Sequence, residues 1–304
     1  MRGQKSIVFI GLVLFVLTAV RPALAIPPNG QQQLLVEVGS SVLSFDPFTG
    51  QSYGSFATGV TTPRGMTIGW DGEVYVCSVN TSTVLRYDLH TGTLLGQFAS
   101  SRPNDVTIGP DGDVYVLSEI GGTIGKFAPD GTSLGTMITD SRISPGRTLA
   151  FGPDGNIYVG ATGLGVVQRI NGKTCAFMGT FASDPKMMDP FSLTFGPDGD
   201  LYVLDPISAT DCVWQFDTAG KLVGKFNSGG MLYSPSDLAF GKDGNLYIAN
   251  WGPTGVDRYS SQTGAYMDQF ISLPGLPSDM VFNPEPGVLG LAGLAMLVVR
   301  RRRR

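Results

Sequence analysis

The segment Leu193-Thr-Phe-Gly-Pro-Asp-Gly-Asp-Leu-Tyr-Val203 is one of five similar segments in this 304-residue chain. The other copies begin at Pro63, Pro103, Leu149 and Leu238, and the tyrosines of successive copies are 40 to 45 residues apart. In each copy an Asp-Gly pair separates two apolar runs. Since glycine adopts the positive φ that a tight hairpin turn requires, each copy predicts a β-hairpin.

Each repeat continues with two further strand signals. A third apolar run, such as Val213-Trp-Gln-Phe216, follows the tyrosine, and a second turn then leads to a fourth run that ends on a phenylalanine. In the repeat that begins at Leu149, this second turn is assigned to Asn171-Gly172. Four antiparallel strands within about 40 to 50 residues are typical of one β-propeller blade.

The ends of the repeat region predict how the propeller closes. The segment 277–282 matches the first strand of a repeat but has no partners after it, whereas 33–57 contains the later strands without a first one. We therefore expect an all-β, six-bladed propeller over residues 26–283, with one blade built from both ends of the chain. Pro28-Asn29-Gly30 is the expected first turn of that blade, and this closure hides the sheet edges.

The repeated pattern resembles the NHL repeat, and it is similar to the repeats of streptogramin lyases and gluconolactonase-type propellers. The resemblance covers roughly residues 33–283 and implies a six-bladed fold. It implies no single function, because the matching residues build strands and turns.

Residues 1–25 form a predicted secretory signal peptide. Arg2 and Lys5 precede an apolar run from Ile7 to Val20, and Ala23 and Ala25 are the small residues that signal peptidase needs beside its cleavage site. We therefore expect export through the inner membrane. The alternative is that this segment is retained as a membrane anchor.

Residues 284–304 form a predicted sorting tail, with Pro284-Glu285-Pro286, an apolar run over 287–299 and five terminal arginines. As a helix the run would extend about 20 Å, so crossing a membrane core of about 30 Å would need help from snorkelling arginines. The order of these parts resembles the PEP-CTERM signal of Gram-negative bacteria. The resemblance implies a transient membrane helix, cleavage by an exosortase-type protease, and a final location at the cell surface or outside the cell; the alternative is a simple tail anchor.

The charge between these two ends is acidic. Eight of the 21 basic residues lie within 1–25 and 287–304, which leaves 13 against all 25 acidic residues. No cluster of Lys and Arg occurs between residues 26 and 299, so nucleic acid is not an expected partner. The three cysteines, Cys77, Cys175 and Cys212, are an odd number without metal-binding spacing, and we expect buried structural thiols.

The two faces of the predicted propeller carry different residues. We call the face that holds the blade-to-blade links and the loops between second and third strands the top, and the face that holds the Asp-Gly turns the bottom. The Asp-Gly aspartates are expected only to form turns. The candidate ligand residues on the top rim are Arg64, Asp105, Glu119, Arg147, Asp205, Asp237, Asn250, Trp251 and Asp279.

These rim residues permit more than one interpretation. Carboxylate and amide oxygens suit Ca²⁺ or Mg²⁺, but aspartates at the start of a strand also accept hydrogen bonds from backbone N–H groups. Arg64 and Arg147 could hold an anionic or sugar ligand. The resemblance to gluconolactonase-type propellers implies a Glu, Asn and Asp set around a metal, for which Glu119, Asp105, Asp205 and Asn250 are the loose equivalents.

The single histidine separates the two function classes. The resemblance to streptogramin lyases implies a central histidine, whereas His90 lies in a bottom turn where it could not reach a substrate at the top. The sequence therefore favours an exported, surface-sorted binding or scaffold propeller over an enzyme. It would need no cofactor and would bind a protein or glycan, within an extracellular matrix or exopolysaccharide. The alternative is a Ca²⁺- or Mg²⁺-dependent lactonase or lyase acting at the top mouth.

Overall fold

A computed structural model describes residues 32–207, 212–226, 232–252 and 254–283, which form six four-stranded antiparallel sheets. The predicted signal peptide, the Pro28-Asn29-Gly30 turn and the sorting tail lie outside these residues. Within them, the helices are two short 3₁₀ turns, Ser141–Ile143 and Thr162–Leu164. No helix in this part of the chain is long and apolar enough to cross a membrane.

The strands follow one another blade by blade along the chain. A split blade contains β1 (Leu34–Val38), β2 (Ser41–Phe45) and β3 (Ser52–Thr58). Blade I contains β4 (Pro63–Ile68), β5 (Glu73–Ser78), β6 (Thr83–Asp88) and β7 (Leu94–Ala99). Blade II contains β8 (Pro103–Ile108), β9 (Val114–Ser118), β10 (Thr123–Phe127) and β11 (Ser133–Thr139).

The remaining blades repeat this arrangement. Blade III contains β12 (Gly146–Phe151), β13 (Ile157–Ala161), β14 (Val166–Ile170) and β15 (Phe177–Ser183). Blade IV contains β16 (Ser192–Phe195), β17 (Leu201–Asp205), β18 (Cys212–Phe216) and β19 (Leu222–Lys225). Blade V contains β20 (Pro235–Phe240), β21 (Leu246–Asn250), β22 (Gly255–Tyr259) and β23 (Tyr266–Ser272), and β24 (Pro277–Phe282) completes the split blade.

The split blade closes the propeller as the sequence predicts. Its strand order is β24-β1-β2-β3, with Leu34 opposite Phe282 in an antiparallel ladder. Beyond the ladder, the backbone N–H of Asn283 donates to the carbonyl of Gln33 at 2.8 Å. The first strand of this blade therefore comes from the end of the repeat region and the other three from its beginning.

The residues that recur in every copy of the repeat form the hairpins. In blade IV the hydroxyl of Tyr202 donates to Asp198 of the Asp-Gly turn at 2.8 Å, and the same bond recurs in blades I, II, III and V. Glycine two residues before the aspartate leaves room for the ring. A Cβ on Gly109, for example, would lie 2.4 Å from a ring carbon of Tyr115. These aspartates therefore stabilise bottom turns, in agreement with the sequence interpretation.

The hydrophobic core lies between neighbouring blades. The ring of Tyr202 packs edge-to-face against Phe240 of the next blade, with ring centroids 4.9 Å apart, and Tyr247 meets Phe282 in the same way at 5.0 Å. Such pairs join each sheet to the next through apolar burial. The inner strands β4, β8, β12, β16, β20 and β24 are thereby held around a central channel.

One turn and one cysteine differ from expectation. In blade III the residue with positive φ is Cys175 (59°), which occupies the place of the glycine in the equivalent Thr-Gly turns, and not Gly172. Cys175 lies in this bottom turn and is half-buried, which differs from the expected burial. Cys77 and Cys212 are buried as expected. None of the three forms a disulfide within the described residues.

Candidate functional site

Two layers of residues line the top of the central channel. Each layer takes one residue from each of the six blades, near the start of the inner strand. The cavity has a volume of about 340 Å³. We call the outer layer the mouth: Arg64, Asn104, Arg147, Phe191, Ser236 and Ser278. We call the layer below it the ring: Gly65, Asp105, Thr148, Ser192, Asp237 and Asp279.

The inner strands begin earlier than the sequence suggests, and this decides where the rim residues point. Four of them start at a proline, which suits the first position of a strand because it needs no N–H there. Arg64, Asp105, Asp237 and Asp279 therefore lie within strands and line the channel, instead of standing on the loops before the strands.

The ring aspartates join neighbouring blades. Each accepts a hydrogen bond from a backbone N–H of the next blade, and the donor is the residue directly after that blade's own ring residue. The three bonds run from Leu149 to Asp105 (2.7 Å), from Met280 to Asp237 (2.9 Å) and from Met66 to Asp279 (2.7 Å). The structure thus supports the interpretation in which these acids accept backbone N–H groups.

Glycine replaces the ring acid in blade I because the space is already filled. A Cβ on Gly65 would lie 2.5 Å from a carboxylate oxygen of Asp105 and 2.6 Å from its Cα. Any side chain at this position would push the inner strands of blades I and II apart.

A fourth carboxylate, Glu37 on β1, is fully buried beside the ring. Its Oε2 accepts a hydrogen bond from Ser278 Oγ at 3.0 Å, and its Oε1 is buried without a partner. Sequence reasoning missed this residue. The available signal was an acid where the other five repeats have an apolar or small residue: Cys77, Leu117, Gly160, Leu204 and Ala249.

Burial favours the protonated form of these four carboxyl groups. Burial, reinforced by the charges of Asp237 and Asp105, raises the pKa of Glu37 to about 8. Burial likewise raises the pKa of Asp105 to about 7 and raises the pKa values of Asp237 and Asp279. Asp237 and Asp279 share a hydrogen bond, which requires a proton on one of them.

These groups do not fit the divalent metal that a gluconolactonase-like site would contain. Ca²⁺ takes six to eight oxygen ligands, typically including several ionised carboxylates. Here the ring oxygens accept backbone N–H groups or share protons, and Glu37 offers one free oxygen. Across the described parts of the chain, no group of three or more His, Cys, Asp or Glu side chains could hold a metal ion.

The mouth above the ring is cationic on one side. Arg64 lies 3.3 Å from the amide oxygen of Asn104 and 3.6 Å from a carboxylate oxygen of Glu119, which also pairs with Arg102. The guanidinium of Arg147 lies 3.8 Å from the centre of the Phe191 ring. Its side chain has no ion pair or hydrogen bond with the described residues.

The other rim candidates lie apart from the ring and hold loops. Asp205 is buried and accepts hydrogen bonds from the backbone N–H of Met188 at 2.9 Å and from the indole of Trp214 at 3.2 Å. The amide of Asn250 donates to Asp257 at 2.8 Å. The structure therefore does not bring Glu119, Asp205 and Asn250 together with Asp105.

Large exposed apolar side chains lie on the top-face loops of blades II to V and on the links that follow blades III to V. We call this set the crown. It consists of Ile120, Leu164, Met188, Ile207, Tyr233, Trp251 and Leu276, each between 43% and 61% exposed.

The single histidine lies on the opposite face. His90 is exposed in the bottom turn of blade I, where its backbone N–H donates to Asp88 at 3.0 Å. No histidine is therefore available beside the channel in the described chain.

Comparison with known proteins identifies the fold and leaves the function open. No known protein-family model matches the chain, and no curated protein matches it. A chain of a nidogen/laminin complex is similar over 84% of this chain and 99% of its own, with 16% identity and a TM-score of 0.71. Virginiamycin B lyase from Staphylococcus aureus is similar over 74% and 75%, with 19% identity and a TM-score of 0.58.

A gluconolactonase from Xanthomonas campestris is similar over 72% of this chain and 79% of its own, with 20% identity and a TM-score of 0.59. At such identities the likeness shows only a shared fold. Because these neighbours include two enzymes and a member of a protein complex, the function must be argued from the residues of this chain.

Proposed function

We propose that this protein is an exported, surface-displayed and non-enzymatic propeller that binds its ligand at the top mouth. The observation that carries this proposal is the contrast between the two layers of the channel. The ring acids form hydrogen bonds between blades and burial favours their protonated form, whereas the guanidinium of Arg147 above them has no ion-pair partner among the described residues.

Catalysis finds little support at the same place. A general base must reach the substrate with a free lone pair. The ring carboxylates are engaged, Asp205 is buried beneath a loop, and His90 lies on the bottom face. Binding needs only complementary shape and charge, which the mouth and the crown offer.

The course of the last strand supports display with the mouth facing outward. β24 begins at the top with Pro277 and runs to the bottom, where the chain continues through Asn283. A tail that starts at Pro284 would therefore hold the propeller by its bottom face. The predicted signal peptide and the PEP-CTERM-like tail supply the export and sorting that this arrangement requires.

Deleting residues 284–304 tests the display. We expect the truncated chain to be exported but no longer retained at the cell surface, with its thermal unfolding unchanged because the last strand of the propeller ends at Phe282. Cell fractionation and a melting curve measure both effects. Surface retention without the tail would contradict the proposal.

Antibody access tests the orientation in the surface-displayed protein. Epitopes at 80–83 and 250–252 lie on the top, and epitopes at 70–72 and 90–92 lie on the bottom. We expect the first pair to be accessible on intact cells and the second pair to be shielded. Better access to the second pair would show that the mouth faces the membrane.

A metal-dependent lactonase or lyase remains the second candidate because of one observation. Glu37 Oε1 is a buried acceptor without a partner, next to three other carboxyl groups. Among the buried side-chain oxygens of the described channel residues, this one accepts no hydrogen bond, so a cation beside it would displace none.

A further inference from the structure

We infer that the top face docks a segment of a partner protein in which an Asp or Glu side chain is flanked by apolar side chains. The carboxylate would enter the mouth between Arg147 and Arg64, and the apolar side chains would cover the crown. The inference rests on the proposed function, since it names the ligand of the same surface.

The first argument is the regular position of the crown. Every loop between the second and third strands of blades II to V exposes one large apolar residue, namely Ile120, Leu164, Ile207 and Trp251. The links that follow blades III, IV and V expose three more: Met188, Tyr233 and Leu276. Single exposed apolar residues are ordinary, but a set on one face of four successive blades is typical of a protein interface, where aromatic residues, Met and Arg are enriched.

The second argument is that the side chain of Trp251, and the backbone beside it, are fixed in place. The indole N–H of Trp251 donates to the carbonyl of Pro277 at 2.7 Å. The backbone N–H groups of Trp251 and Gly252 donate to the carbonyl of Tyr233 at 3.2 and 3.3 Å. Rigid aromatic side chains lose little conformational entropy on binding, which makes them effective anchors.

The third argument concerns the charge at the centre of the crown. Arg147 is stacked on Phe191 and has no carboxylate partner among the described residues, so a planar carboxylate could pair with its guanidinium without breaking an ion pair seen there. Asn104 holds this site in place, because its amide donates to the carbonyl of Arg147 at 2.8 Å. Its own amide oxygen orients Arg64 on the other side.

The acids below the mouth do not prevent an anion from binding there. The ring would repel a carboxylate strongly if all its acids were ionised. However, Asp237 and Asp279 share a proton, and burial raises the pKa of Glu37 to about 8. The negative charge beneath the arginines at neutral pH is therefore smaller than the residue count suggests.

A protein fits this surface better than a polysaccharide does. Sugar rings offer hydroxyl groups, which would leave the aliphatic side chains of Ile120, Ile207 and Leu276 against polar atoms. Apolar side chains of a protein segment would instead bury these residues, while its carboxylate reaches the mouth.

A library of disulfide-closed random loops displayed on phage tests the inference on the full chain. We expect enriched loops to contain Asp or Glu beside Leu, Ile, Phe or Trp. Their affinity should fall at least about tenfold for Arg147→Gln and for Trp251→Ala, the loss expected when a hot-spot contact is removed. Arg147→Lys should recover part of the loss, since it keeps the charge without the planar fork.

Two matched controls lie away from the top face. Tyr266 is as exposed as Trp251 (44% each) but lies on an outer strand, and Lys173 is an exposed cation in a bottom turn. Tyr266→Ala and Lys173→Gln should leave binding unchanged. A melting curve for each variant shows that it is folded.

Three results would overturn the inference. These are the absence of any enriched loop, enriched loops that lack an acid or ignore Arg147→Gln, and Arg147-dependent binding of an oligogalacturonate in place of peptides. Failure of the proposed display is a separate outcome. In that case loop binding would persist in the purified protein, while fractionation would find no protein at the cell surface.

Discussion

The backbone N–H of Met66 donates a hydrogen bond of 2.7 Å to Asp279, although the two residues are 213 positions apart in the sequence. The bond joins the inner strand of the split blade to that of blade I. The same contact links blade V to the split blade through Asp237 and Met280. The closure of the propeller therefore depends on carboxyl groups in the channel as well as on the ladder between β24 and β1.

Removing the carboxyl group of Asp279 should destabilise the protein. We expect Asp279→Ala to lower the free energy of unfolding by about 1 to 3 kcal/mol, because the buried N–H of Met66 loses its acceptor. Asp279→Asn keeps an acceptor of the same shape and should cost clearly less. Urea denaturation measures both variants, and equal losses would show that the hydrogen bond is not what holds the blades.

The stability of the propeller should fall as the pH rises from about 4 to about 8. Burial raises the pKa of Glu37 from 4.5 to about 8 and that of Asp105 from 3.8 to about 7. Below the unfolded pKa both states bind these protons, so their contribution is fully present there. Above it, the unfolded state releases protons that the folded state keeps, and the contribution is lost as the pH passes the folded pKa.

We expect the melting temperature to be lower at pH 8.5 than at pH 5.5 by roughly 5 °C, since about 2 kcal/mol corresponds to such a shift in a chain of this size. Glu37→Gln should flatten this slope and melt higher than the parent at pH 8.5. Carboxyl groups with lowered pKa values, such as Asp140 at about 2, titrate below this range. A melting temperature that rises between these two pH values would contradict the assignment.

The fold could be predicted from the sequence because its information is local and repeated. Asp198, Gly199 and Tyr202 lie within five positions, and their hydrogen bonds and turn conformation recur in four other blades. The split blade followed from counting strands at both ends. The turn at Cys175 was missed because cysteine rarely occupies a left-handed position, so glycine was the better guess.

The candidate site was only partly predictable because its contacts join different blades. Asp105, Asp237 and Asp279 could be found as one column of the repeat, but their partners belong to the next blade. Glu37 was missed because the other residues of its strand are apolar, and the sequence therefore indicated a strand of the core. The crown lies in irregular loops, where a residue such as Ile120 gives no sign in the sequence that it is exposed.

The Tyr-Asp pair of each hairpin should contribute measurably to stability. Tyr202→Phe removes the hydroxyl that donates to Asp198 at 2.8 Å, and we expect a loss of about 0.5 to 1.5 kcal/mol in the free energy of unfolding. Tyr266→Phe is the control, because this exposed ring makes no hydrogen bond with the described residues. If the two variants unfold alike, the repeated pair stabilises the turn no more than a phenylalanine would.

Divalent cations should leave the melting temperature unchanged relative to sodium chloride of equal ionic strength. A ligand that binds the folded state stabilises it by an amount that rises with the logarithm of its concentration relative to Kd, but the ring oxygens already accept N–H groups or share protons. Differential scanning fluorimetry with Ca²⁺ and Mg²⁺ makes the comparison. A clear upward shift that disappears in Glu37→Gln would instead favour the metal-dependent lactonase or lyase, because Glu37 Oε1 is the buried carboxylate oxygen beside the ring that accepts no hydrogen bond.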